Sequence, residues 1–261
     1  MNKKYIKRYK TLLNILQNPS ILMKRKKYIF ILSHWRSYST LLSHILGSNK
    51  DICGYTEMHI RYFNTIDLQV LKLRSMERYG NLTNRKYILD KIVNNNLINS
   101  GEILRTKSIS KIFLLRNYND AIKSIIRYSA TQGKNVQKYT DQNNAAELYI
   151  KRLSVLKEYS LFSKGNYIFI KSESLIHKTE ETFDLLADYL NLEEELSSEY
   201  NNFELTGTPG YGDSSKYISI GNIVRDRIHT NIDISENLRL KCEKAYNECC
   251  ETLKENSIKY I

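Results

Sequence analysis

Residues 27–42 read KYIFILSHWRSYSTLL, and the order of residue types in this stretch decides the fold class. KYIFIL is a short, nearly continuous apolar run, the pattern of a strand buried on both faces of a parallel sheet. STLL then opens a helical pattern, after a turn made of Ser33, His34, Trp35, Arg36, Ser37 and Tyr38. A strand that runs through a Ser/Thr-rich turn into a helix leaves backbone N–H groups without partners, which is how chains build anion sites. The donors here would be the N–H groups of residues 36–40 and the hydroxyls of Ser37, Ser39 and Thr40, with Arg36 as the counter-charge. The stretch lacks the spaced glycines and the Gly-Lys-Ser/Thr ending of loops that cradle nucleoside triphosphates. Taken alone, it reads equally well as a capped strand-to-helix turn.

A second stretch shifts that balance. In KIFLLRNYNDAIKSIIRY (111–128), Arg116 ends an apolar strand and Ser124 lies on the following helix. Both can face the strand-end crevice where open α/β sheets bind ligands. Nucleotide hydrolases carry at the corresponding strand end an Asp that holds Mg²⁺. An Arg there substitutes a direct anion contact for a metal ligand. Two anion sites at neighbouring strand ends predict one ligand with two separated phosphate groups and no metal.

The rest of the chain fits a sheet flanked by helices. Apolar runs predict strands over 27–33, 51–55, 102–106, 111–116 and 166–171, and helical periodicity covers 39–46, 60–79, 85–94, 120–128, 144–162, 179–190 and 235–254. This alternation predicts an α/β fold of three layers, with a mainly parallel central sheet. Residues 201–231 combine turn residues with no sustained period, the mark of a lid or binding loop. Residues 1–26 form a basic extension with an amphipathic helix suggested by Tyr5, Leu12, Leu13, Ile15 and Leu16; 27–261 reads as a single domain.

Forty Lys and Arg against 28 Asp and Glu give a formal charge of +12, which calls for an anionic partner. Charge alone does not choose between nucleic acid, a membrane surface and a phosphorylated small molecule. A basic nucleic-acid-binding protein is the alternative from another class, but no recognised motif supports it and the basic residues are spread. The longest apolar run near the start, YIFIL, is too short for a membrane span or a secretory signal. The four cysteines, Cys53, Cys242, Cys249 and Cys250, match no common disulfide frame or zinc spacing. A cytoplasmic protein is expected, without stable membrane insertion.

Arg36-Ser37-Tyr38-Ser39-Thr40-Leu41-Leu42 resembles the 5′-phosphosulfate loop of the sulfotransferase family, commonly written RSGTTLL. Arg116 to Ser124 resembles its 3′-phosphate motif, R-x7-S, and residues 166–192 are similar to its later strand, E-x-L turn and helix. The resemblance implies a fold related to the P-loop nucleotide-binding proteins. It also implies 3′-phosphoadenosine 5′-phosphosulfate (PAPS) as sulfuryl donor, adenosine 3′,5′-bisphosphate (PAP) as product, and no metal. The clearest departure is Tyr38, where the family usually has Gly. Gly takes positive φ freely and lets a phosphate approach closely; Tyr does neither cheaply. Either the loop keeps negative φ here or the donor sits differently.

Sulfuryl transfer follows the logic of phosphoryl transfer, in which positioning and electrostatic stabilisation dominate. Arg36 suits neutralisation of the leaving phosphate. The acceptor must lose a proton, and Glu57, in a Gly54-x-x-Glu57 setting found in some family members, is the first choice of base, with His59 second. EILRTKS resembles the Lys-Thr-His stretch of cytosolic members, which puts Lys107 near the sulfuryl group as an electrostatic contact. Lys216, in Gly212-Asp213-Ser214-Ser215-Lys216, is a candidate phosphate contact, and Trp35 would stack on adenine or line the acceptor pocket. The acceptor would be a hydroxyl or amine of a small molecule, including specialised metabolites such as saxitoxin-type guanidinium alkaloids.

Overall fold

The computed structural model describes residues 25–80, 82–225 and 232–261. The helix expected within 1–26 lies outside the described residues. At the centre is β1 (Lys27–Ser33), whose residues from Tyr28 onward are all buried. With β2 (Ile52–Cys53), β3 (Tyr87–Ile92), β4 (Ile109–Leu115), β5 (Tyr167–Lys171) and β6 (Lys259–Tyr260) it forms one sheet in the order β2-β3-β1-β4-β5-β6. Every pairing is parallel. The chain leaves β1 towards β2 and β3 on one side and later returns to lay β4 on the other, so a crevice opens at the C-terminal end of β1.

Among the described residues, seven helices cover the sheet: α1 (Ser39–Ser48), α2 (Asp67–Tyr79), α3 (Tyr118–Thr131), α4 (Gln142–Phe162), α5 (Ser174–His177), α6 (Thr179–Leu190) and α7 (Glu236–Asn256). Strand alternation divides β1 between two cores. Tyr28, Phe30 and Leu32 pack with residues of α2, α3, α4 and α7, while Ile29 and Ile31 pack with Leu42 and Leu46 of α1 and Leu186 and Leu190 of α6. These are the three layers expected from the sequence.

Four elements differ from the sequence reading. Residues 85–94, expected to be helical, instead contain the strand β3, Tyr87–Ile92, buried throughout and carrying the charged pair Asp90 and Lys91. Both charges are buried because both find partners, described below. EILRT, expected as a strand, forms a short 3₁₀ turn, Gly101–Arg105. It offers only Ile103 and Leu104 to the core, and the Ser100 hydroxyl accepts from the Glu102 N–H to start the turn. The helix expected from residue 60 begins at Asp67, whose carboxylate accepts the N–H groups of Phe63 and Asn64 and holds the preceding residues in a turn. The short edge strand β6 carries no alternation long enough to signal it.

Candidate active site

The turn after β1 contains two left-handed residues that are not glycine, Arg36 at φ 62° and Tyr38 at φ 61°. Each costs about 1–2 kcal/mol, so neighbouring contacts must over-determine the loop. They do. Arg116 Nη1 donates to the Arg36 carbonyl at 3.2 Å, Ser172 Oγ to the Ser37 carbonyl at 2.6 Å, and Ser37 Oγ to the His34 carbonyl at 2.8 Å. The Arg116 guanidinium also lies 4.2 Å from the centroid of the Tyr38 ring. Tyr38 thus takes the conformation a glycine would take, held by a cation–π contact no glycine could make. Alternating the sign of φ about Ser37 turns successive N–H groups to one side, the geometry of an anion nest.

The two anion motifs are joined. Arg36 Nε donates to Ser124 Oγ at 3.1 Å, which ties the turn after β1 to α3. His34 locks the strand ends. Its Nδ1 faces the Trp35 carbonyl at 2.8 Å, which only accepts, so Nδ1 carries the proton; Nε2 then accepts the Arg116 N–H at 2.9 Å. Burial, reinforced by Arg116 and Arg152, lowers the His34 pKa to about 3, so the ring is neutral. Arg127, one turn beyond Ser124, lines the same cleft; burial and the charges of Arg116 and Arg36 lower its pKa.

On the other side of β1, Lys91 Nζ at the end of β3 donates to Thr40 Oγ1 at 2.9 Å and pairs with Glu57 Oε1 at 3.2 Å. Lys91 is 2 % exposed and Glu57 8 %. Asp90, on the opposite face of β3, accepts the Met58 N–H at 2.9 Å and the Tyr62 hydroxyl at 2.6 Å. It fixes the segment that carries Glu57. Burial raises the Asp90 pKa to about 6, against those two hydrogen bonds. His59 is half exposed, with Nδ1 3.9 Å from Glu57 Oε2.

The late loop closes over these groups with an acid. Asp213 Oδ1 accepts from Arg36 Nη1 at 3.1 Å, and the Asp213 N–H donates to Thr40 Oγ1 at 3.0 Å. Although burial pushes the other way, Arg36 and the Ser215 N–H hold the Asp213 pKa below its usual value. A Cβ on Gly212 would stand 2.7 Å from Thr40 Oγ1 and 3.0 Å from Lys91 Nζ, and its φ is +128°, so this close approach needs glycine. Lys216 is exposed, with Nζ 5.6 Å from its neighbour Tyr217's ring. Lys107 is exposed just before β4, at the end of the sheet opposite the crevice.

These groups line a cleft of about 710 Å³. Trp35, Arg36, Ser37, Tyr38, Ser39, Thr40, Glu57, His59, Arg116 and Ser124 all border it; Lys107 and Lys216 do not. Sequence reasoning missed Lys91, Arg127 and Asp213. Lys91 lies within 85–94, whose periodicity predicts a helix, and Asp213 lies within Gly212-Asp213-Ser214-Ser215-Lys216, where the basic residue is the expected anion contact. Among the described residues, no helix is long and apolar enough to cross a membrane.

No protein-family model and no curated protein matches the sequence. Solved structures do match. A sulfotransferase domain from the curacin biosynthetic pathway superposes with a TM-score of 0.57 at 17% identity, over 86% of this chain and 98% of that domain. The sulfotransferase domain of the Synechococcus PCC 7002 olefin synthase gives 0.54 at 16%, over 86% and 96%. The fold is that of sulfotransferase domains, as the loop resemblance implied.

Proposed function

We propose that the chain is a sulfotransferase that moves a sulfuryl group from PAPS to a hydroxyl or amine of a small-molecule acceptor and releases PAP. The observation that carries this is the meeting of two strand-end anion motifs in one cleft, through Arg36 Nε on Ser124 Oγ at 3.1 Å. The side chains fit such a donor: Arg36, Arg116, Arg127 and Lys91 face the cleft against Glu57 and Asp213. When bound, the donor supplies an activated sulfuryl group with a phosphate as its leaving group.

The N–H groups of the turn, with Ser37, Ser39 and Thr40, would hold the phosphosulfate end; Arg116, Ser124 and Arg127 would hold the 3′-phosphate. Thr40 Oγ1 already accepts from Lys91 and from the Asp213 N–H. With both lone pairs engaged, its own proton is left to donate into the site. Arg36 offers permanent charge to the leaving oxygens. Glu57, oriented by Lys91, takes the acceptor's proton, and Lys91 stands between that base and the anion-binding turn, where developing negative charge is stabilised.

PAP should raise the melting temperature through mass action on the native state, whereas ATP with Mg²⁺ should not. No shift at saturating PAP would overturn the proposal. Arg116→Ala should abolish the shift. Glu57→Gln should keep it and lose sulfation of a responsive acceptor; full activity in that variant would remove Glu57 as the base. Binding of random RNA or DNA that survives physiological salt, without a PAP response, would favour the nucleic-acid alternative.

A further inference from the structure

Beside Trp35 lies a side pocket of about 200 Å³ that shares Trp35, Val93 and Asn94 with the cleft. The Trp35 and Tyr139 rings meet edge to face there, 5.6 Å apart, and Arg152 and the Asn94–Asn96 turn complete the polar lining. The orientations of two carboxamides are forced. Trp35 Nε1 bonds Asn94 Oδ1 at 3.0 Å and Arg152 Nη1 bonds Asn95 Oδ1 at 3.1 Å. Indole and guanidinium only donate, so the amide oxygens are engaged and both NH₂ groups remain as donors.

Arg152 is 3 % exposed. Its other hydrogen bonds go to the carbonyls of Ser33 at 2.8 Å and Ile92 at 2.7 Å. Among the described residues no carboxylate forms an ion pair with it. Carbonyls satisfy its N–H groups without neutralising its charge, which in a low-dielectric setting is felt strongly. Burial lowers the Arg152 pKa to about 10, which leaves it charged at neutral pH. Of the lining rings, Tyr139 already has Lys138 Nζ 5.0 Å from its centroid.

We infer that this side pocket receives the far end of the acceptor and selects a carboxylate there, excluding a cationic group. The guanidinium alkaloids considered from sequence would then be poor occupants. The word acceptor rests on the proposed sulfotransferase activity; the charge preference does not.

Trp35 is the only tryptophan in the chain, so its fluorescence reports on the pocket directly. The probes are 4-hydroxyphenylacetate, tyrosol and tyramine, which share a phenol and differ in the charge of the far end. The carboxylate should bind about tenfold or more tighter than tyramine, as expected for a hydrogen-bonded charge, with tyrosol between. Asn95→Asp, at an exposed position, supplies Arg152 with a counter-ion and removes a donor; it should erase the preference. Tyramine binding as well as the carboxylate, an unchanged ratio in Asn95→Asp, or no response to any probe would overturn the inference. A PAP melting shift measured in parallel separates the two ideas: the carboxylate preference without the shift removes the sulfotransferase reading alone, and the shift without the preference removes the side pocket alone.

Discussion

At the residue scale, Tyr38 combines a conformational cost with a packing gain, and the two can be separated by substitution. Tyr38→Gly loses the ring over which Arg116 lies but removes the left-handed penalty; Tyr38→Ala loses the ring and keeps the penalty. Urea unfolding should therefore find the alanine variant less stable than the glycine variant, by about 1 kcal/mol. Lys91 and Glu57 are a second separable pair. Lys91→Met leaves a carboxylate buried without its partner and should cost about 3 kcal/mol, and adding Glu57→Gln should restore part of it. Arg36, Ser37, Arg116 and Ser124 were legible in the sequence because they sit at fixed offsets from apolar strands. Lys91 was not, because a buried lysine is recognisable only once Thr40 and Glu57 are seen to surround it.

At the element scale, β3 was the costliest misreading. Its charged pair, Asp90 and Lys91, points to opposite faces of a buried strand, and each organises one part of the site. Single-sequence periodicity assigns charge to solvent, and it fails where a strand carries the functional groups. Strands β1, β4 and β5 keep longer apolar runs, with Lys27 and Lys171 at strand ends and the buried Lys111 near the start of β4, and the sequence reading of them as strands holds. The role of Asp90 has a pH signature. Its folded pKa is raised to about 6 from 3.8, so the stability it contributes is present below pH 3.8 and lost as pH rises through 6. Asp90→Asn should abolish that loss. In pH-dependent unfolding, the variant should therefore gain relative to the wild type as pH rises from 4 to 6, by up to about 1.4 kcal/mol per pH unit.

At the scale of the whole molecule, two histidines buried in neutral form withdraw stability as the medium turns acid. Burial first, then nearby cations, lowers His34 to about 3 and His44 to about 4, from 6.5. Both folded values are depressed, so their contribution is complete above pH 6.5 and declines as pH falls below it. Each withdraws up to about 1.4 kcal/mol per pH unit, and Asp90 offsets one of them between pH 4 and 6. Thermal unfolding across pH 7 to 4.5 should show a falling melting temperature, with a shallower fall in His34→Gln. A pH-independent melting temperature would contradict the neutral His34 that joins the Trp35 carbonyl to the Arg116 N–H.

The contact between Asp213 and Arg36, at 3.1 Å, bears on how this molecule responds to its medium. An anion site at rest ordinarily borrows mobile counter-ions from the buffer, and salt competes there with the ligand. Here the resting counter-ion is tethered to the chain, at a local concentration that buffer composition does not change. An incoming phosphate must exchange with a carboxylate that stays nearby. Titration calorimetry at rising salt should find that Asp213→Asn binds PAP more tightly than the wild type when salt is low and loses that advantage as salt increases. The native protein would give up peak affinity for an affinity less dependent on ionic strength.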